Sequence, residues 1–121
     1  MNKIVGKIDE KVIRLLNLPY EKNEPIMLGK SNIEHMKRQH LEDFKKYGKD
    51  IEDIIKKPTY VARNPNQDSI EYIKEYKYND DFVLVAVRIT NKEKFFARTL
   101  FTMTEKKKNI YLRKEYDKKY E

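Results

Sequence analysis

The sequence contains no cysteine, only three glycines among its 121 residues, and no long apolar run. Without cysteine the chain can form neither a disulfide framework nor a thiolate zinc site. The glycines lie too far apart for a glycine-rich phosphate loop, and no cofactor motif is present. No stretch approaches the ~18 apolar residues of a membrane-spanning helix, and the first residues lack the apolar run of a signal peptide. The sequence therefore predicts a cytoplasmic protein with no membrane partner and no cofactor.

Charged residues, in contrast, make up 39% of the chain, well above the ~25% of typical globular proteins. Lysine and arginine number 27 against 20 aspartate and glutamate residues, which gives a formal net charge of +7. Such an excess favours a polyanionic partner such as RNA, because binding releases condensed counterions. A solvated lysine-rich surface without any partner explains the same charge equally well.

The apolar pattern changes period near Pro58, from helical spacing before it to strand alternation after it. We expect short extended segments at 3–8 and 25–29, helices at 10–16, 31–47 and 51–57, and strands at 59–63, 69–78, 82–89 and 94–103. This order predicts an α+β fold in one domain, 1–121, with N-terminal helices packed on one face of a three- to four-stranded antiparallel sheet. Residues 105–121 form either a basic tail or a closing helix.

The segment 31–47 carries the only two histidines, His35 and His40. Ser31 with Glu34 three residues later matches a capping box. In a helix, His40 falls on an apolar stripe and His35 projects roughly 140° away from it. The stripe consists of Ile33, Met36, His40, Phe44 and Tyr47. His40 is either a hydrogen-bonded core histidine or an acid–base group in a cleft, and its five-residue distance from His35 does not match a zinc-binding helix.

Three polar residues interrupt the last two predicted strands, namely Arg88, Arg98 and Thr99. A charge within such a strand needs a partner or water, so each arginine is either solvated, paired with a carboxylate or directed at a phosphate. An odd number of hairpin loop residues would place Arg88 and Arg98 on the same face. An even number would separate them and could pair Leu84 with Thr99.

Nine tyrosines lie among the basic residues of this chain. Tyr60, Tyr72 and Tyr76 fall on predicted strands, where each either fills a sheet face or stacks on an unpaired base. Alternation within 69–78 places Tyr72 and Tyr76 on one face of the sheet and Glu71 on the other.

Five short motifs follow one another along 26–104, with the sequences IEHMKRQH, IIKKPTYV, SIEYIKEY, VLVAVRI and FFARTLFT. In their order and spacing they resemble the phage and mobile-element branch of the barnase–EndoU–colicin–RelE-like nuclease superfamily. The resemblance implies metal-independent RNA cleavage on an antiparallel sheet backed by N-terminal helices, often as a toxin in genetic conflict. The motif positions in this sequence are His35, His40, Tyr60, Arg88, Arg98 and Thr99.

We therefore expect an endoribonuclease in which a ribose 2′-OH attacks the adjacent phosphate. His40 would act as base or acid with His35 as its partner. The arginines would stabilise phosphate charge, and Thr99 would donate a hydrogen bond. The expected catalytic residues are His40, His35, Arg88, Arg98 and Thr99, and the expected RNA-binding residues are Tyr60, Tyr72 and Tyr76.

Two other classes of protein fit the same residues. The first is a non-catalytic RNA- or protein-binding factor on the same fold, such as a counter-defence inhibitor, which needs the basic surface but not the histidines. The second is an interaction module for an acidic protein, which needs neither RNA affinity nor the tyrosines. A toxin would also have a cognate inhibitor protein as a partner.

Overall fold

The computed structural model describes residues 2–64, 68–90, 94–113 and 117–120. Within this part of the chain, the protein contains seven β-strands and five α-helices. The strands are β1 (Lys3–Ile8), β2 (Glu24–Leu28), β3 (Tyr60–Asn64), β4 (Ser69–Tyr76), β5 (Asp81–Ile89), β6 (Phe95–Thr102) and β7 (Asp117–Lys119). The helices are α1 (Glu10–Leu16), α2 (Lys30–Gln39), α3 (Leu41–Tyr47), α4 (Ile51–Lys56) and α5 (Glu105–Arg113), and a 3-10 turn (Gly48–Asp50) joins α3 to α4.

The strands form one mixed sheet in the order β1-β2-β6-β5-β4-β3-β7. β2 and β6 pair in parallel, and all other neighbours are antiparallel. The α+β class is confirmed, but the predicted three to four antiparallel strands are only the centre of this sheet. Alternation could not reveal its edges, because β2 joins β6 through a short parallel pairing and β7 is a three-residue strand in the lysine-rich tail.

The helices α1 to α4 pack on one face of the sheet, where alternate residues of the central strands complete the main core. Its buried residues include Met36 of α2, Ile51, Ile54 and Ile55 of α4, and Val83, Val85 and Val87 of β5. The opposite face carries a smaller cluster formed by Ile73, Phe82, Leu84 and Met103, against which Tyr111 of α5 packs. Residues Glu105–Arg113 thus form a closing helix, α5, on the face opposite to the N-terminal helices α1 to α4.

The segment 31–47 is not one helix, contrary to the prediction from its apolar stripe. It divides at His40, whose backbone (φ −145°, ψ 64°) is not helical and which ends α2 and begins α3. After this break α3 runs beside β6, where the Asp43 carboxylate accepts a hydrogen bond from the Thr102 N–H at 3.0 Å. Periodicity alone did not reveal the break, because Met36 and Phe44 still contact the same core on either side of it.

The helix ends were predicted correctly for α1 but not for α2. Asp9 caps α1 as expected, since its carboxylate accepts from the Val12 N–H at 2.8 Å. At α2 the capping residue is Gly29, whose N–H donates to the Asn32 side chain at 2.8 Å. Ser31 is exposed in the first turn, so the predicted capping box was wrong.

Candidate active site

The hairpin of β5 and β6 brings the two strand arginines together. Its register pairs Arg88 with Phe96 and Ala86 with Thr99, which leaves Arg98 as an extra residue in a β-bulge. A bulge redirects the side chain that it contains, and Arg88 and Arg98 line the same cleft. The sequence left open whether Arg88 and Arg98 lie together, and the structure shows that they do. The bulge causes this, and counting the loop residues as odd or even does not take a bulge into account.

This cleft, which we call the arginine cleft, lies between the hairpin and the start of α2 and has a volume of about 430 Å³. Its walls include Ser31, Asn32, Arg88, Thr90, Phe96 and Arg98. Both arginines are exposed, and neither forms an ion pair with a residue that the structure describes. Two such guanidinium groups on one concave surface favour an anion, and their planar donor geometry suits phosphate.

His35 lies on α2 close to Arg98. Burial lowers the pKa of the His35 imidazole below its usual 6.5, and the positive charge of Arg98 lowers it further. Arg38 and His40 add smaller contributions in the same direction. The imidazole of His35 is therefore mostly neutral at physiological pH, which is the form that accepts a proton.

His40 lies at the junction of α2 and α3 and is half-buried. Its ring contacts the ring of Phe101 on β6, with centroids 5.4 Å apart. Neither His40 nor His35 has a hydrogen-bond partner for its imidazole within the described part of the chain. The interpretation of His40 as a hydrogen-bonded core histidine therefore has no support among the described residues.

Thr99 follows Arg98 at the bulge and is half-buried. It faces Ala86 across the hairpin, and Ala86 in turn faces Glu71 on β4. Leu84 pairs with Phe101, so the alternative pairing of Leu84 with Thr99 does not occur. Thr99 thus shares a row across the sheet with Ala86 and Glu71, and it is absent from the lining of the arginine cleft.

Glu71 is a carboxylate that sequence reasoning did not select. It is only 7% exposed, and it accepts a hydrogen bond from the Tyr111 hydroxyl of α5 at 2.9 Å. Burial raises the pKa of the Glu71 carboxyl above its usual 4.5, although hydrogen bonds from Tyr111 and Asn64 and the charge of Lys107 limit the rise. The sequence did contain a signal for a buried carboxylate here, because Glu71 lies between apolar residues of β4 and on the face away from Tyr72.

We expect Glu71→Gln to raise the unfolding temperature in mildly alkaline buffer and to change it little below pH 4.5. Because the folded state raises the pKa of Glu71, the free energy of unfolding of the wild type falls as pH rises through that pKa. Glutamine stays neutral and can still accept from Tyr111. Thermal unfolding followed by circular dichroism tests this, with exposed Glu34→Gln as the control. A difference that does not vary with pH would contradict the prediction.

The three predicted RNA-binding tyrosines do not line the arginine cleft. Tyr72 is fully buried under the helices, so a base cannot stack on it and its assignment is corrected. Alternation correctly placed Tyr72 on the face opposite to Glu71, but the helices cover that face. Tyr60 and Tyr76 are half-buried. They lie at the end of the sheet away from Arg88, where both border a different cleft.

The described residues contain no group of three or more histidine, aspartate and glutamate side chains placed to hold a metal ion. In the same part of the chain, no helix is both long enough and apolar enough to cross a membrane.

Two arginines without an ion pair to a described residue, with histidines on the neighbouring helices and a largely antiparallel sheet, fit a nuclease. The comparison with protein families agrees with this class. The chain belongs to the phage-Barnase-EndoU-ColicinE5/D-RelE like nuclease3 family (PBECR3), which matches residues 2–110. This confirms the resemblance seen in the sequence. The comparisons with curated proteins and with solved structures found no match.

Proposed function

We propose that the protein is a metal-independent endoribonuclease of toxin-like character from a phage or mobile element. The observation that carries the proposal is the arrangement around the arginine cleft. Two guanidinium groups without carboxylate partners among the described residues line the cleft. The charge of Arg98 acts on the His35 imidazole, and His40 lies further along β6, against Phe101. A site that binds phosphate and transfers protons has the two capacities that RNA transesterification requires.

The proposed mechanism gives the role of base to His35, because its pKa is lowered, and the role of acid to His40. His35, whose pKa is lowered, accepts the proton of the ribose 2′-OH as the 2′-oxygen forms its bond to phosphorus. His40 donates a proton to the 5′-oxygen as the bond between phosphorus and that oxygen breaks. Arg88 and Arg98 stabilise the charge of the phosphorane, and Thr99 donates a hydrogen bond to it. The products are a 2′,3′-cyclic phosphate and a 5′-hydroxyl end.

We expect purified protein to cleave total RNA equally well with and without EDTA, because the nucleophile is the 2′-OH of the substrate and not a metal-bound water. Gel analysis of the fragments, followed by end-group mapping, should show 2′,3′-cyclic phosphate termini. DNA of the same sequence should remain intact, since it lacks the 2′-OH. Loss of cleavage in EDTA would contradict the mechanism. Tight RNA binding without any cleavage would favour the non-catalytic binding factor.

A further inference from the structure

A second cleft, which we call the distal cleft, lies at the far end of the central strands. It has a volume of about 580 Å³ and is located where β4 ends and β3 begins. Its lining includes Lys57, Tyr60, Tyr76, Lys77, Tyr78 and Lys119. Arg88 lies at the opposite end of β5 from Asp81, which pairs with Tyr76. Seven residue steps along β5 separate the two clefts by roughly 24 Å.

The lysines of the distal cleft have a surplus of positive charge. Lys57, Lys77 and Lys119 are exposed, and none forms an ion pair with a residue that the structure describes. Lys74, which also borders the cleft, pairs with Asp53 at 2.7 Å. The lining also contains one carboxylate, that of Glu75. The three lysines without an ion pair to a described residue outnumber it, and this net positive charge favours phosphates or carboxylates of a partner.

The aromatic residues of the distal cleft distinguish between these two kinds of anion. The Tyr60 ring is held against Phe82 in a stacked arrangement, with centroids 6.2 Å apart. Tyr76 is fixed by its hydroxyl, which donates to Asp50 at 3.1 Å. Tyr78 projects from the β4–β5 turn with 99% of its surface exposed. Rings of fixed orientation beside a fully accessible ring can stack on nucleotide bases. An acidic peptide has no bases, so the aromatic residues favour a nucleic acid as the partner.

We propose that the distal cleft binds a single-stranded stretch of RNA away from the scissile phosphate, with a base stacked on Tyr78 and phosphates held by Lys77 and Lys119. This inference rests on the proposed function, in that the bound strand is the substrate of the arginine cleft. The helix α5 packs on the sheet face that carries Tyr60, and its exposed Lys106 and Lys107 add positive charge to that face.

Binding is measured by fluorescence anisotropy with a single-stranded oligouridine of about 16 nucleotides. Its 2′-oxygens are methylated, so that cleavage cannot occur. We expect Tyr78→Ala to weaken binding about 5- to 100-fold, the loss typical of one stacked base. The double variant Lys77→Gln/Lys119→Gln should weaken binding and reduce its salt dependence. The control is Lys7→Gln/Lys56→Gln, which removes the same charge from exposed lysines that border an unrelated groove beside β1.

Cleavage kinetics then separate the two clefts. With a long RNA the distal variants should raise KM and leave kcat unchanged, and with a dinucleotide they should behave as wild type. Wild-type affinity for the oligouridine in Tyr78→Ala, or an equal loss in the control pair, would overturn the inference. If the wild type cleaves no RNA, the proposed function fails, whereas the anisotropy measurement still decides whether the distal cleft binds RNA.

Discussion

The His40→Ala variant is expected to cleave RNA about 100- to 10,000-fold more slowly than the wild type while binding it almost as tightly. A general acid acts on the transition state, so its removal lowers kcat and leaves ground-state affinity nearly unchanged. The ring of His40 lies beside β6, contacts Phe101 and has no hydrogen bond to a described residue. The proposed mechanism assigns it the proton that the leaving group receives. Single-turnover kinetics and binding to the 2′-O-methylated oligouridine measure the two quantities separately.

A folding control is essential for this variant, because His40 forms the junction of two helices. Gln39→Ala changes the preceding, exposed residue of α2 and should retain wild-type activity. Circular dichroism must show that both variants have the helix content and unfolding temperature of the wild type within a few degrees. Full activity in a folded His40→Ala protein would refute the assignment of His40 as the acid.

The pH dependence of kcat/KM distinguishes the roles of the two histidines. His35 must be neutral to act as the base, and its lowered pKa shifts the acid limb of the activity profile to lower pH than an ordinary histidine would give. His35→Ala should remove this acid limb together with most of the activity. An acid limb that persists in His35→Ala would show that another group is the base.

The sequence was sufficient to locate most elements, because their signals are local. The strand at 3–8 and the Asp9-capped helix at 10–16 have the predicted bounds, and the alternation of β4 correctly separates Tyr72 from Glu71. The family was likewise identified from motifs whose spacing the fold preserves. These features depend on residues a few positions apart, for which periodicity and capping are informative.

The features that were missed depend on contacts between distant segments. The break at His40 accompanies the hydrogen bond between Asp43 and Thr102, which are 59 positions apart in the sequence. Pairing of β7 with β3 and the hydrogen bond from Tyr111 to Glu71 likewise join the tail to the centre of the chain. Tyr72 was misassigned because alternation shows which residues share a face but not which face the helices cover.

Replacing either arginine of the cleft should lower kcat/KM about 100- to 1,000-fold and also weaken RNA binding. In the proposed mechanism Arg88 and Arg98 contact the phosphate before the reaction and stabilise the added charge during it, so both kcat and KM should change. The salt dependence of binding should become less steep by about one counterion for each arginine removed. Lysine at either position should restore part of the affinity but little of the rate, because an ammonium group lacks the planar pair of donors.

The matched control for these variants is Arg14→Ala, an exposed arginine on α1 that is absent from the lining of the arginine cleft. Since the two cleft arginines act on one phosphate, the double variant should lose less activity than the product of the two single losses. Arg98 occupies a bulge, so unfolding temperatures must first show that Arg98→Ala leaves the hairpin intact. Full additivity, or a loss in Arg14→Ala as large as in Arg88→Ala, would show that the arginines act through net charge and not through a shared phosphate.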